Sequence, residues 1–118
     1  MFFFACSGSE DKLTTTMTIV NNRAPIQQYN QSITRVSLVG YDFDNLNIVY
    51  GVQSKTFELE DGINGGYDDV NVNFEVNCAG TGYVFSESVV FLEGGNTTIT
   101  LMNCPNLACD CVKFSFSG

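Results

Sequence analysis

The stretch YDDVNVNFEVNC constrains this chain more than any other part of it. Val70, Val72, Phe74, Val76 and Cys78 share one parity; Asp69, Asn71, Asn73, Glu75 and Asn77 share the other. A side-chain period of two over that length describes an extended strand with one buried and one wet face. The same period recurs. TTTMTIVN sets Met17 and Ile19 against Thr16 and Thr18, SITRVSLVG carries Val36 and Leu38 on one face, and LNIVYG groups Leu46, Ile48 and Tyr50. KTFELE points Phe57 and Leu59 one way, and TTITLM does the same with Ile99 and Leu101. GYVFSESVVFLE keeps Phe85, Val89 and Phe91 in phase, with Glu87 interrupting them. VKFSFS alternates Val112, Phe114 and Phe116 with Lys113, Ser115 and Ser117. β-Branched and aromatic residues fill these runs, as a pleated half-buried surface favours.

Turn chemistry separates the runs: NNRAP, EDGINGG, CAGTG and EGGN. Their glycines supply the positive φ that hairpin turns require. No stretch sustains a 3.6-residue period. Seven to eight short strands at this spacing predict an all-β fold, an antiparallel two-sheet sandwich of immunoglobulin-like or transthyretin-like kind. With 118 residues, one domain over 13–118 is expected.

Thirteen acids against five bases give a net charge of -8, and Lys12, Arg23, Arg35, Lys55 and Lys113 are scattered singly. That excludes the basic patch on which nucleic acid or anionic headgroups depend. Histidine is absent, which removes the commonest general base and metal ligand and any Ser-His-Asp or Cys-His arrangement. The sequence therefore predicts no enzyme and no cofactor.

The chain opens MFFFACSGSEDK. Phe2, Phe3, Phe4 and Ala5 form an apolar run closed by Cys6, and residues 7–12 read as a polar tether. This resembles the end of a bacterial lipoprotein signal, in which cleavage before the cysteine leaves it acylated and first in the mature chain. The resemblance assigns Ala5 to the small position and Cys6 to lipid attachment. It makes residues 1–5 the remnant of a signal and 6–12 the tether. The acidic Ser-Gly-Ser-Glu-Asp run, with TIVNN, SITRVSLVG, SKTFELEDG and YDDVNVNF behind it, is similar to small β-sandwich surface lipoproteins of Bacteroidota-type bacteria. That family implies export, an outer-membrane location in the cell envelope, a membrane contact through the N-terminal lipid and an envelope protein partner. It implies no catalytic residues.

Five cysteines are present: Cys6, Cys78, Cys104, Cys109 and Cys111. An acylated Cys6 leaves four, which pair evenly. Cys109 and Cys111 would lie about 7 Å apart on one side of an extended strand, so a bond between them needs a strained turn. Cys78 is therefore expected to bond one of the CDC pair and Cys104 the other, stapling CPNLACDC to the sheet. The same four thiolates could instead hold tetrahedral zinc, although their spacing lacks the usual paired C-x2-C knuckles.

YDFDNLN places Asp42 and Asp44 at the spacing of a calcium loop's first half. Asn47 stands where that loop needs glycine and Gln53 where it needs glutamate, so a polar connection is the simpler reading. A surface site shared with Asp68 or Asp69 is the remaining metal candidate. Ser86, Glu87 and Ser88 lack a base and read as strand residues. Tyr29, Tyr41, Tyr50, Tyr67 and Tyr83 could line a peptide- or carbohydrate-binding face, or simply lie half-buried with wet hydroxyls. The sequence thus points to a non-enzymatic, lipid-anchored binding or accessory module. The alternative is a secreted structural subunit that assembles by strand pairing through VKFSFS.

Overall fold

Val70, Val72, Phe74, Val76 and Cys78 all face inward from one strand, as their alternation requires. A computed structural model describes residues 14–51 and 54–118, and in it this strand is the longest of nine, level with its hairpin partner. In chain order the strands are β1 (Thr15–Asn22), β2 (Gln31–Leu38), β3 (Tyr41–Phe43), β4 (Ile48–Val49), β5 (Ser54–Leu59), β6 (Val70–Cys78), β7 (Thr81–Val89), β8 (Asn96–Asn103) and β9 (Val112–Ser117). The expected signal remnant, Cys6, the tether and Gln53 lie outside the described residues.

The strands form two stacked sheets, ordered β5-β1-β8-β9 and β3-β2-β6-β7, with β4 also paired to β2. The fold is an all-β sandwich, as the periodicity predicts. Met17, Ile19, Ile99 and Leu101 from one sheet meet Ile33, Val36, Val72 and Phe74 from the other, all fully buried. Phe74 meets Phe114 across the layers with ring centroids 5.3 Å apart, and Phe43 meets Phe57 at 4.3 Å.

Two expectations need correction. The described residues hold nine strands, not seven or eight. The unforeseen one is β3, whose three residues are too few to show a period and carry Asp42 at their centre. The sheets are also not wholly antiparallel: β1 runs parallel to β8, with Ile19 opposite Ile99. Alternation is the same in either direction, and the long chain between these strands permits the crossover that parallel pairing needs. A bulge between Ile33 and Arg35 shifts the phase of β2, which lets Ile33 and Val36 both point inward.

The turns follow the local chemistry. Ala79 and Gly80 both take positive φ, 55° and 84°, making the two-residue primed turn that joins β6 to β7. At the end of the sandwich where the chain enters β1, Thr15 and Thr97 are buried and fasten the β7–β8 loop. Their hydroxyls accept the amides of Gly94 and Leu92 at 2.9 and 3.0 Å.

Candidate functional site

The other end of the sandwich gathers the β1–β2 loop, the segment after β3, the β6–β7 turn and the cysteine loop between β8 and β9. Asn21, Arg23 and Gln31 are fully buried there. All three continue the inward parity of Met17, Ile19 and Ile33, so the alternation runs on while its chemistry turns polar. Asn21, on β1, sends its amide across the layers to the carbonyls of Gln31 and Ile48 at 2.9 and 2.8 Å. Its side-chain oxygen accepts the Arg23 amide at 2.9 Å.

Arg23 is the centre of this plug. Its Nε donates to Gln31 Oε1, its Nη1 to the carbonyl of Cys111 at 2.9 Å and its Nη2 to the carbonyl of Cys109 at 3.2 Å. The guanidinium also lies 5.5 Å from the centroid of the Phe85 ring, where the π face attracts a cation. Gln31 Nε2 bonds Ala24 O and Asn103 Oδ1, and Asn103 Nδ2 bonds Ala24 O, all at 2.9 Å. No ion pair of Arg23 with a carboxylate occurs among the described residues; its charge is held by neutral oxygens and a ring. Loss of water lowers its pKa from the ordinary arginine value. Among the described residues no buried side-chain nitrogen or oxygen is left without a partner.

Two disulfides close over the plug: Cys78–Cys109 and Cys104–Cys111. This is one of the two pairings the sequence left open, and the register explains the choice. Asn103 pairs with Val112, so Cys104 and Cys111 are the next opposed residues of the same hairpin. Cys109 is then left for Cys78, which sits buried at the end of β6. Zinc is not how these four sulfurs are used.

The knotted end also concentrates strain and exposed apolar side chains. Gln27 and Gln28 take φ of 52° and 74°, and Ile26 and Tyr29 exchange backbone hydrogen bonds around them. Leu107 has φ of 55° in the cysteine loop. Left-handed backbone at such residues carries a penalty of roughly 1–2 kcal/mol each and concentrates where function or packing demands it. Tyr29, Tyr50 and Leu107 are all about half exposed or more on this end or its loops.

The other sequence candidates disperse. Asp42 lies on the outer face of its sheet with both oxygens on Arg35, at 2.8 Å to Nε and 2.7 Å to Nη2; Glu75 takes Nη1 at 3.2 Å. Asp44 is exposed beyond β3, and no cluster of three acidic or cysteine side chains suited to a metal forms among the described residues. Ser86 and Ser88 are exposed on β7 while Glu87 points the opposite way, so they form no unit. The tyrosines do not share a face: Tyr41 lies at the far end, in a cleft of about 330 Å³ with Asp61 and Gly62. Its hydroxyl donates to Gly62 O and accepts the Asp61 amide.

The Arg35 guanidinium holds the Asp42 carboxyl below the ordinary carboxylate range through its hydrogen bonds. A depressed folded pKa stabilises above the unfolded value, near 3.9, and that contribution is lost as pH falls through the lower folded value. Both groups are exposed, so the effect is small. Asp42→Asn is expected to lower the melting temperature slightly at pH 7 and by less at pH 2, where Asp42 is more protonated. Paired thermal melts at the two pH values check this; an equal gap at both would rule the ion pair out as its source. Comparison with models of known protein families and with curated proteins finds no match for this chain, so its function has to be read from its own residues.

Proposed function

We propose that the chain is the body of a non-enzymatic, lipid-anchored protein of the bacterial outer membrane, acting as a binding or accessory module of an envelope assembly. The use of its thiols is the observation that carries this reading. The bridges Cys78–Cys109 and Cys104–Cys111 consume four cysteines, and Cys6 stands outside them, behind an apolar run and ahead of a polar tether. Disulfides of this kind belong to oxidising compartments, which supports export. β1 starts at the end opposite the disulfides, and Tyr29, Tyr50 and Leu107 are exposed at the disulfide end, accessible to a partner. Tyrosine suits such contacts, because its rigid ring brings large area at little entropic penalty.

The test is the intact mass of the protein from its native membrane, with thiol alkylation before and after reduction. Loss of residues 1–5, added acyl mass on Cys6 and four thiols that react only after reduction are expected. A retained Met1 with unmodified Cys6 would overturn the anchor. A second reading, a secreted subunit assembling by strand pairing, rests on β9 lying at a sheet edge, although Lys113 blunts that edge. Polymers seen by electron microscopy of unlipidated protein would select it.

A further inference from the structure

Of the four sheet edges, three are blunted. β3 has three residues, β5 carries Lys55 and Glu58, and β9 carries Lys113. Short strands and edge charges are the ordinary protection against unwanted pairing. β7 is the longest of the four: nine residues, TGYVFSESV, without proline or lysine, and with Glu87, on the inward parity, as its one charge. Among the described residues nothing pairs with its outer side.

The turn fixes which backbone groups are free. Ala79 and Gly80 form a two-residue turn, so Cys78 and Thr81 are a hydrogen-bonded pair, and bonded pairs recur at every second residue. Thr81, Tyr83, Phe85, Glu87 and Val89 therefore bond β6. Gly82, Val84, Ser86 and Ser88 turn their amides and carbonyls outward.

We propose that this edge pairs antiparallel with the same edge of a second copy of the chain, about a two-fold axis at Phe85. In that register all nine residues of each strand are used. Val84 exchanges backbone bonds with the second copy's Ser86, and Gly82 with its Ser88. Tyr83 comes opposite Glu87 of the other copy on the same face, and Glu87 opposite Tyr83, so each phenol meets a carboxylate and no like charges oppose. A two-fold at Glu87 would instead set the two carboxylates against each other. The neighbouring flank adds apolar area. Phe114 lies over Phe74, the partner strand of β7, and Phe116 stacks on Phe114 while 42% exposed. The pairing is isologous and closes at two copies. It sets the starts of the two copies' β1 strands at opposite ends of the paired edge.

Sedimentation velocity of the full chain across a concentration series is the test, with amide exchange alongside. A reversible dimer is expected, tightening as salt screens the repulsion of two copies of charge -8. Amides of Gly82, Val84, Ser86 and Ser88 should slow in exchange as concentration rises. Val84→Pro and Ser86→Pro each remove an outward amide that β6 does not use, and should reduce the mass from two chains to one. A monomer at every concentration overturns the proposal. So does a dimer that both prolines spare, or one whose concentration-dependent protection falls elsewhere. Should the proline variants fail to fold, amide exchange of the parent protein decides alone.

Discussion

Replacing Cys78 and Cys109 together by alanine is expected to lower the melting temperature by about 15 °C, against about 10 °C for the same change at Cys104 and Cys111. The bridges differ in the chain they close. Cys78–Cys109 spans 31 residues and Cys104–Cys111 spans 7. Loop-closure entropy removed from the unfolded chain scales with the logarithm of that span, giving about 3.7 kcal/mol for the first and about 2.4 kcal/mol for the second. At roughly 4 °C per kcal/mol for a domain of this size, the two variants should separate clearly. Burial separates them little, since Cys78 is fully buried and Cys104 nearly so. The longer bridge also joins the layers: Cys78 belongs to one sheet, and the loop it captures leads into β9 of the other. The shorter bridge only extends a hairpin that already pairs from Asn103–Val112 onward. Urea or thermal unfolding of the two alanine pairs measures the difference; equal losses, or a larger loss at Cys104–Cys111, would show that loop closure is not what these bonds contribute.

Strands that bury one face along their whole length declare themselves. β6 was legible because every second residue from Val70 to Cys78 is apolar and every intervening one polar. β1 and β8 carry it over part of their length, at Met17 with Ile19 and at Ile99 with Leu101, and β9 at Val112, Phe114 and Phe116. What sequence periodicity does not carry is direction and registry. β1 shows the same alternation whether its neighbour β8 runs with it or against it. In β2 the bulge after Ile33 breaks the phase, so Ile33 and Val36 look like opposite faces although both are buried. The disulfide choice had the same obstacle. The spacing of Cys109 and Cys111 narrowed the pairing to two, but only the β8–β9 register sets Cys104 against Cys111.

The polar plug was hidden for a different reason. Asn21, Arg23 and Gln31 stand on the inward parity, and that parity was the available signal. Hydropathy masks it, since an arginine or glutamine in phase with a core is ordinarily taken for the end of a strand. Asp42 and Asp44 read in the sequence as a polar connection rather than a calcium loop, and nothing there named the partner that Asp42 takes. Asp42, on the outer face of β3, pairs with Arg35 on the adjacent strand, a partner remote from any local motif, while Asp44 lies exposed beyond the strand.

Arg23→Met keeps much of the length and apolar area of the side chain but removes every donor. It is expected to destabilise the domain by about 3–5 kcal/mol, the range for a buried network that loses its central partner. Three oxygens would lose a bond at once: Gln31 Oε1 and the carbonyls of Cys109 and Cys111. Arg23→Lys should recover only part of this, because one ammonium cannot reach a side-chain amide and two carbonyls in the fork geometry of a guanidinium. The damage should also be local in character, with faster amide exchange around the cysteine loop and the start of β9 than in β6. The bridge and the arginine act on the same carbonyls, so they should couple. Once Cys104 and Cys111 are alanine, the loop can turn its carbonyls to water, and the further loss from Arg23→Met should shrink by about 1 kcal/mol or more. A double-mutant cycle by urea unfolding reads that difference. Strict additivity would mean that Arg23 holds Gln31 and the layers but not the loop, and the knotted end would then owe its shape to the disulfides alone.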